Sequence, residues 1–600
     1  MKSLIKLWQQ VSLDVGLMCH VSTTRDFKTV AGRFEHEGVS FLTITLTDFG
    51  KGLEKALDRG SVDHDLFPGF RFRGGLPQFL GGFLDLVFDR KSGRLLDEPN
   101  ETAIYAVRQL TLMFGKILIE CSPARSKAAL VKFIECEQDV RSSDRTITPG
   151  LLDRFSVMSL KLFGDVLASV DREVYDGTLT PKHGPGKTAD KLSGNRKFDQ
   201  VEWPRRLDSV FPFGDYCLPN WRFNYLLDST SILEPGHERP VKVTLVPKSL
   251  KTPRIIAIEP TCMQYMQQAL MMAIVPALED DSLVSSMIGF TDQLPNQQMA
   301  REGSRTGGLA TIDLSEASDR VSNQHVRVLL RHFPHLFEAV DATRSRKADV
   351  PGFGVMRLAK FASMGSALCF PIEAMVFLTI VMMAIEHEHR RRFTRADISR
   401  FRGRVRVYGD DIIVPTEYMR AVVDHLEAFG LKVNLSKSFG TGRFRESCGK
   451  EYYNGTDVSI TKVRSLFPVR QLDATEVIAT VSLRNRLFEA GLTGAARWMD
   501  PGLNHLLGGW YPAVTSDSPI LGRIENGAYE CLRMDPDTQV PQVKGFCVSP
   551  KLPASIASGE GSLLKWFLKR GDEPFADRDH LVRSGRPDAV TLKLRWASAA

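Results

Sequence analysis

The chain has few of the features that mark several protein classes. Its nine cysteines are scattered over 600 residues with no CxxC pair, so a zinc or disulfide scaffold is not expected and a reducing cytosol is. The longest apolar run, Ala374 to Ile385, is too short to span a bilayer and is expected to form a buried helix, with no membrane association. Met1 to Trp8 alternates apolar and basic residues rather than forming a secretory signal. No internal repeat or low-complexity tract stands out. Charge of one sign is scarce as well. The net charge of +7 is mild for this length and suits a polyanionic partner only where basic residues cluster.

What is present is an ordinary globular composition, with 43% apolar and 25% charged residues, and enough length for several subdomains. Basic clusters do occur. Arg390, Arg391, Arg392 and Arg395 are followed by Arg402, Arg404 and Arg406, and Lys242, Lys248, Lys251 and Arg254 form a second group. Each alone reads as a solvated face. Residues 1 to about 180 mix helical and strand patterns without a recognisable site. The Gly- and Lys-rich stretch Thr180 to Asp199 reads as an ordered loop or hinge over a binding surface. Its GPGKT lacks the first glycine of a Walker A loop, because Pro181 stands there. HEHRR at His387 to Arg391 lacks the second histidine of HExxH and reads as a solvated helix end.

The centre, roughly 240 to 465, carries the chemistry. Val241 to Lys248 and Arg254 to Pro260 alternate as strands. LATIDLSEASDR begins as a strand and turns polar after Asp313, and RVRVYGDDIIV reads as a hairpin with Asp410 and Asp411 at its turn. An amphipathic helix follows, capped by Thr416, lined by Val422, Val423, Leu426 and Phe429, and ended by Gly430. Leu431 to Phe439 is a further strand candidate. These elements predict a small antiparallel sheet backed by helices, in an α+β chain. After about 470 the pattern reads as helical and sparse.

If the strand ending in Asp313 lies beside the hairpin, three carboxylates converge, although about a hundred residues separate Asp313 from Asp410. Each pair would repel by ~4 kcal/mol at 4 Å in an effective dielectric near 20, and the sum rivals a domain's whole stability of roughly 5–15 kcal/mol. Protonation or bound divalent cations must relieve it. Hard oxygen ligands favour Mg²⁺ or Mn²⁺, and two such ions form the clamp for in-line phosphoryl transfer. Alone, a DD pair in a turn is usually just a turn.

YGDD in a hairpin, preceded by a strand ending in Asp, resembles the palm of an RNA-dependent RNA polymerase. More narrowly, TIDLSEASD, SMGSALCFPIEAMVF, VYGDDIIVP and FRESCGKEYYNGTDV resemble the replicase subunit of single-stranded RNA bacteriophages, the Qβ-like group. LVPKSLKTPRIIAIEP and DQLPNQQMAREGS do so too. The resemblance covers about 240 to 465. It implies a right-handed polymerase, with an N-terminal region and fingers over 1–240, a fingers and palm core over 241–465, and a thumb and C-terminal region over 466–600.

The same resemblance implies metal ligands at Asp313, Asp410 and Asp411, with Mg²⁺ or Mn²⁺ as a pair of ions. It implies triphosphate-binding residues at Lys248, Lys251 and Arg254, and a general acid for pyrophosphate at Lys437. A nucleotide-binding surface is implied at Ser318, Asp319, Gly365 and Glu373. Cys369 stands where related palms carry Thr, and Glu373 where many carry Asn, so the ribose-reading network departs from the usual pattern. Asp319 can alternatively cap the helix that follows it.

Implied partners are an RNA template and product, ribonucleoside triphosphates, the host elongation factors Tu and Ts, and a small-subunit ribosomal protein. The implied setting is the cytoplasm of a bacterial host, with primer-independent initiation. A reverse transcriptase shares the YxDD hairpin but carries an aromatic residue soon after its first Asp, where Ser318 and Asp319 stand here. A non-catalytic RNA-binding chain would not need all three acidic positions intact.

Overall fold

A computed structural model describes residues 2–184, 186–550, 557–571 and 590–600. The elements that position the site are, in chain order, helix α1 (Pro123–Thr146), strands β1 (Val241–Val246), β2 (Arg254–Ile258), β3 (Leu309–Ser315), β4 (Lys347–Val350) and β5 (Gly354–Arg357), helix α2 (Cys369–Glu388), strands β6 (Arg406–Tyr408) and β7 (Asp411–Pro415), helix α3 (Met419–Ala428), and strands β8 (Lys432–Val433), β9 (Phe444–Ser447) and β10 (Lys450–Tyr453).

Ile412, Ile413 and Val414 form an unbroken apolar run, which a strand tolerates when both its faces are covered. That is their situation. The central sheet has the order β6-β7-β3-β8, antiparallel at every step. Helices α2 and α3 close one face, in a core shared with Ala310, Ile312, Leu314, Ile412 and Val414. On the other face Ala300, from the helix Leu294–Thr306, and Tyr452 of β10 close over Ile413. Complete burial of each such aliphatic side chain is worth roughly 1.5–3 kcal/mol. Helix α2 is long and apolar enough to cross a membrane, yet 94% of its apolar window is buried inside the protein.

Two local expectations are corrected. Thr416 does not cap the helix: its hydroxyl donates to the Gly307 carbonyl (2.8 Å), a short 3-10 turn intervenes, and α3 starts at Met419. Gly430 does end it, at φ 76°. The expected strand from Leu431 to Phe439 is broken. Lys432 and Val433 pair with Ser315 and Leu314, the chain then leaves the sheet, and it returns only at Phe439, opposite Thr311.

A second sheet, ordered β2-β1-β4-β5, packs on α1 through Leu130 and Phe133. The loop from Thr180 to Asp199, apart from Pro185, which lies outside the described residues, is ordered: Lys197 Nζ donates to the Gly184 carbonyl (2.8 Å). The mixed pattern of the first 180 residues resolves mainly into helices. Those at Lys2–Cys19 and Glu101–Leu112 share a second core with the helices Ala474–Glu489 and Thr493–Leu506. The C-terminal part is not only helical, because Pro541–Pro550 pairs with Val590–Ser598 as a long antiparallel ribbon. Most of the arginine cluster is a surface of ion pairs, Arg391 to Asp397 and Arg395 to Asp165 among them. Arg406 departs from it: buried, it donates to Asn296 (2.9 Å) and to the Ser285 and Ser286 carbonyls.

Candidate active site

The turn between β6 and β7 has two residues, Gly409 and Asp410, since Tyr408 pairs with Asp411. A two-residue hairpin needs positive φ at its first position. Gly409 supplies it, at 60°, and a Cβ there would meet the Phe370 ring at 2.2 Å. Asp410 lies at the tip of the turn, while Asp411 opens β7 directly opposite Asp313 of β3.

Directly opposed like charges destabilise a strand pair, and Asp411 registers it. Burial, then the Asp410 and Asp313 charges, push Asp411 up to about 7. Burial and Asp410 raise Asp313 against the opposing pull of Lys437 and Asn434. Three hard oxygen donors pressing on one another are chemically the donor set for a divalent cation. Their present rotamers do not enclose one: no group of three or more His, Cys, Asp or Glu among the described residues is arranged to hold a metal ion.

Those rotamers have visible causes. The segment that leaves the sheet between Val433 and Phe439 wraps around Asp313. Asn434 Nδ2 donates to one carboxylate oxygen (2.8 Å) and Lys437 Nζ reaches the other (3.3 Å). Asp411 accepts from the backbone N–H of Cys448 (3.2 Å). Cys448 and Gly449 both have positive φ, 48° and 74°, and form the tight turn joining β9 to β10. SCGK is thus a hairpin turn that presents a donor to Asp411.

Positive charge gathers around the carboxylates. Burial, then Arg254 and Lys437, lower Lys248, while Asp410 and Asp313 pull it the other way. Burial, then Lys248, Lys462, Lys437 and Arg464, bring Lys116 down to about 8. Lys437 rises although burial opposes it, because Glu446 and Asp313 are near. Burial raises Glu446, but Lys51, Lys437, Arg108 and Lys462 outweigh it and hold it low.

Beside the carboxylates lies a second polar group. Ser318 donates to Glu373 (2.6 Å), and the Cys369 thiol lies 3.8 Å from the same oxygen. Burial raises Glu373 to about 8, with Asp410 and Asp319 adding to the effect. Asp319 accepts from Ser363 (2.8 Å) and Lys360 (3.1 Å). It does not cap the next helix, where Ser322 does so by accepting from the Gln324 N–H (2.9 Å). Gly365 (φ 135°) rests on β2, where a Cβ would stand 2.0 Å from the Ala257 carbonyl oxygen, and Ala257 N donates to the Met364 carbonyl (2.9 Å).

Most residues singled out from sequence therefore meet. Asp313, Asp410 and Asp411 share one electrostatic site with Lys437, Lys248 and Arg254, and Ser318, Glu373 and Asp319 gather by the Ser363–Gly365 loop. Lys251 is turned elsewhere, to an exposed ion pair with Asp48 (3.1 Å). Sequence reasoning missed Asn434, Glu446, the Cys448 N–H, Lys360 and Lys116. Glu446 and Cys448 stand inside FRESCGK, so their signal was present. Lys116 lies outside the readable centre and carries none.

Residues 237–475 match the family model described as RNA replicase, beta-chain. The RNA-directed RNA polymerase beta chain of Enterobacteria phage fr is 37% identical over 42% of this chain and 43% of its own length. That of Escherichia phage MS2 is 35% identical over 48% of each chain, and the beta subunit of Escherichia virus Qbeta is 37% identical over 37% of this chain and 35% of its own. The chain thus matches less than half the length of these curated relatives. Among solved structures, the RNA-dependent RNA polymerase of a human picorbirnavirus aligns with a TM-score of 0.34 and 13% identity, over 45% of this chain and 57% of that one. So low a score carries no argument.

Proposed function

We propose that this chain, whose residues 237–475 match the RNA replicase beta-chain family, is an RNA-directed RNA polymerase that copies a single-stranded RNA phage genome. One observation carries the reading: Asp313 and Asp411 stand opposite each other on the two central strands, with Asp410 at the adjoining turn. In this reading 1–240 holds the N-terminal region and fingers, 241–465 the fingers and palm, and 466–600 the thumb and C-terminal region.

Asp313, Asp410 and Asp411 would hold two Mg²⁺ or Mn²⁺ ions once Asp313 and Asp411 turn from their present partners. Bound there, such ions supply charge neutralisation for nucleotidyl transfer. The chain's own residues do the remaining work. Lys248 and Arg254 bind the triphosphate, as does Lys251 once it exchanges Asp48 for phosphate. Lys437 holds a proton at Nζ for the departing pyrophosphate. Ser318, Glu373, Asp319 and the Gly365 loop orient the ribose. Initiation without a primer and partnership with host elongation factors Tu and Ts and a small-subunit ribosomal protein, in the bacterial cytoplasm, complete the proposal.

The test is RNA-templated incorporation of labelled ribonucleotides by the purified chain, with and without bacterial lysate. Incorporation is expected to depend on Mg²⁺, and Asp410→Asn, which keeps size and removes charge, is expected to abolish it without unfolding the chain. Turnover like wild type in that variant at saturating Mg²⁺ sinks the assignment.

A further inference from the structure

Lys360 is an unusual residue. Its side chain is wholly buried, which for a lysine requires compensation on every side. The compensation is specific. Nζ lies 3.1 Å from Asp319 Oδ1 and 3.9 Å from Glu137, and 3.6 Å from the centroid of the Phe133 ring. Glu137 and Phe133 both belong to α1, and Glu137 is itself fully buried and anchored by the Ala359 N–H. The same helix touches the Asp319 segment again: the Cys136 thiol donates to the Asp319 carbonyl (3.6 Å).

The consequence falls on one oxygen. Lys360 and Ser363 both bond Oδ1 of Asp319, while Oδ2 makes no hydrogen bond among the described residues. The Asp319 side chain keeps 22% of its surface exposed. Two donors on one oxygen fix the carboxylate's rotation and leave the other oxygen as an oriented acceptor.

From this we infer, resting on the polymerase reading above, that Lys360 is a positioning residue for sugar choice. It holds Asp319 so that Oδ2 accepts from the 2′-hydroxyl of the incoming nucleotide, and α1 holds Lys360 in turn through Glu137 and Phe133. Part of the sugar specificity is then built from residues 133 and 137, which lie outside the segment that matches the family. A site shaped for a hydroxyl discriminates strongly when the substrate lacks it, because its acceptor is left unpaired.

The test uses the full chain and the ratio of kcat/KM for ribo- over 2′-deoxynucleotides in RNA-templated incorporation. Lys360→Met is expected to lower the ratio about tenfold by slowing ribonucleotide use, with deoxynucleotide use little changed. Asp319→Asn should lower it similarly, and the double variant no further, since residues acting through one contact are not additive. Glu137→Gln should move the ratio the same way by less. A folded Lys360→Met with an unchanged ratio overturns the inference, as do losses that multiply in the double variant. Should Lys360→Met fail to fold, Lys360→Arg, which keeps the charge and displaces it, must shift the ratio at least about threefold or the inference falls. Absence of any templated incorporation by wild type instead overturns the polymerase reading, and this inference with it.

Discussion

Lys437 and Glu373 show how single residues take their character from what surrounds them. On sequence alone Lys437 is indistinguishable from a surface lysine. In the fold it sits 3.3 Å from Asp313, near Glu446, and its ammonium form is favoured. In the proposed polymerase a proton held there would serve the leaving pyrophosphate. Lys437→Leu is therefore expected to slow single-turnover chemistry about a hundredfold and to remove the alkaline fall of the pH–rate profile. A rate and profile equal to wild type would return it to the class of structural lysines. Glu373 differs in sign. Its folded-state carboxyl titrates at about 8, against 4.5 for a free glutamate. Below about pH 4.5 both folded and unfolded chains keep the proton. Between there and about 8 only the folded chain does, so this residue subtracts stability as pH rises, by about 1.4 kcal/mol for each pH unit crossed. Glu373→Gln should flatten that slope, making the variant relatively more stable at pH 8 than at pH 5 in urea unfolding. An unchanged pH slope would mean that Glu373 is not held protonated.

Elements decide where those residues meet, and here the sequence is legible in part. The β6–β7 hairpin can be read because Gly409 and two adjacent aspartates interrupt strand patterns, but its turn falls on Gly409 and Asp410, one residue earlier than expected, and Asp411 already pairs within β7. The strand carrying Asp313 is legible for the same reason, although it does not end there: it runs on to Ser315, where Leu314 and Ser315 pair with Val433 and Lys432. The break between Val433 and Phe439 is not, because LKVNLSKSF alternates well enough to pass for one strand. Where the segment leaves the sheet, hydrogen bonds join Asn434, Lys437 and Ser438 to Asp313 instead. Helix α1 as a partner of Asp319 is equally invisible, since nothing local links residues so far apart in the chain. Gly365 is legible as a site of close backbone approach, and the fold shows that β2 is the neighbour. Gly365→Ala would put a methyl within 2.0 Å of the Ala257 carbonyl oxygen at a φ that L-residues avoid. Neither backbone can yield cheaply, so the Ser363–Gly365 loop must lift off β2. The expected result is a fall in kcat/KM of at least about tenfold, with cooperative unfolding retained. Unimpaired kinetics would show that the loop's seat on β2 has no part in catalysis.

At the scale of the whole molecule, the question is how distant segments are made one body. The core built from the N-terminal helices also contains Phe439, Phe444 and Tyr453, beside the candidate site, and the C-terminal helices around Val481 and Leu487. Its polar fastening is Arg108. Fully buried, it pairs with Glu54 (3.0 Å) and Glu451 of β10 (3.3 Å) and donates to the Val458 carbonyl. The guanidinium's planar array of donors lets one side chain satisfy groups from three parts of the chain at once. Arg108→Met keeps much of the volume but takes the shared cation from two buried carboxylates, leaving, among the described residues, Glu54 with Lys51 alone (2.6 Å) and Glu451 with Lys462 alone (3.2 Å). Removing one partner of a buried ion pair costs about 3–5 kcal/mol, far more than the net worth of forming the pair. The variant is expected to unfold at markedly lower urea. Templated incorporation should be lost at temperatures the wild type tolerates, because β10 and the Cys448 turn beside Asp411 depend on the same fastening. Arg108→Met combined with Glu54→Leu and Glu451→Leu removes the two carboxylates that have lost their shared cation and should recover part of the stability. If the single variant unfolds like wild type, Arg108 is not what joins the N-terminal helices to the sheet. If the triple variant is no better than the single, the loss lies in the packing against Phe444 rather than in the charges.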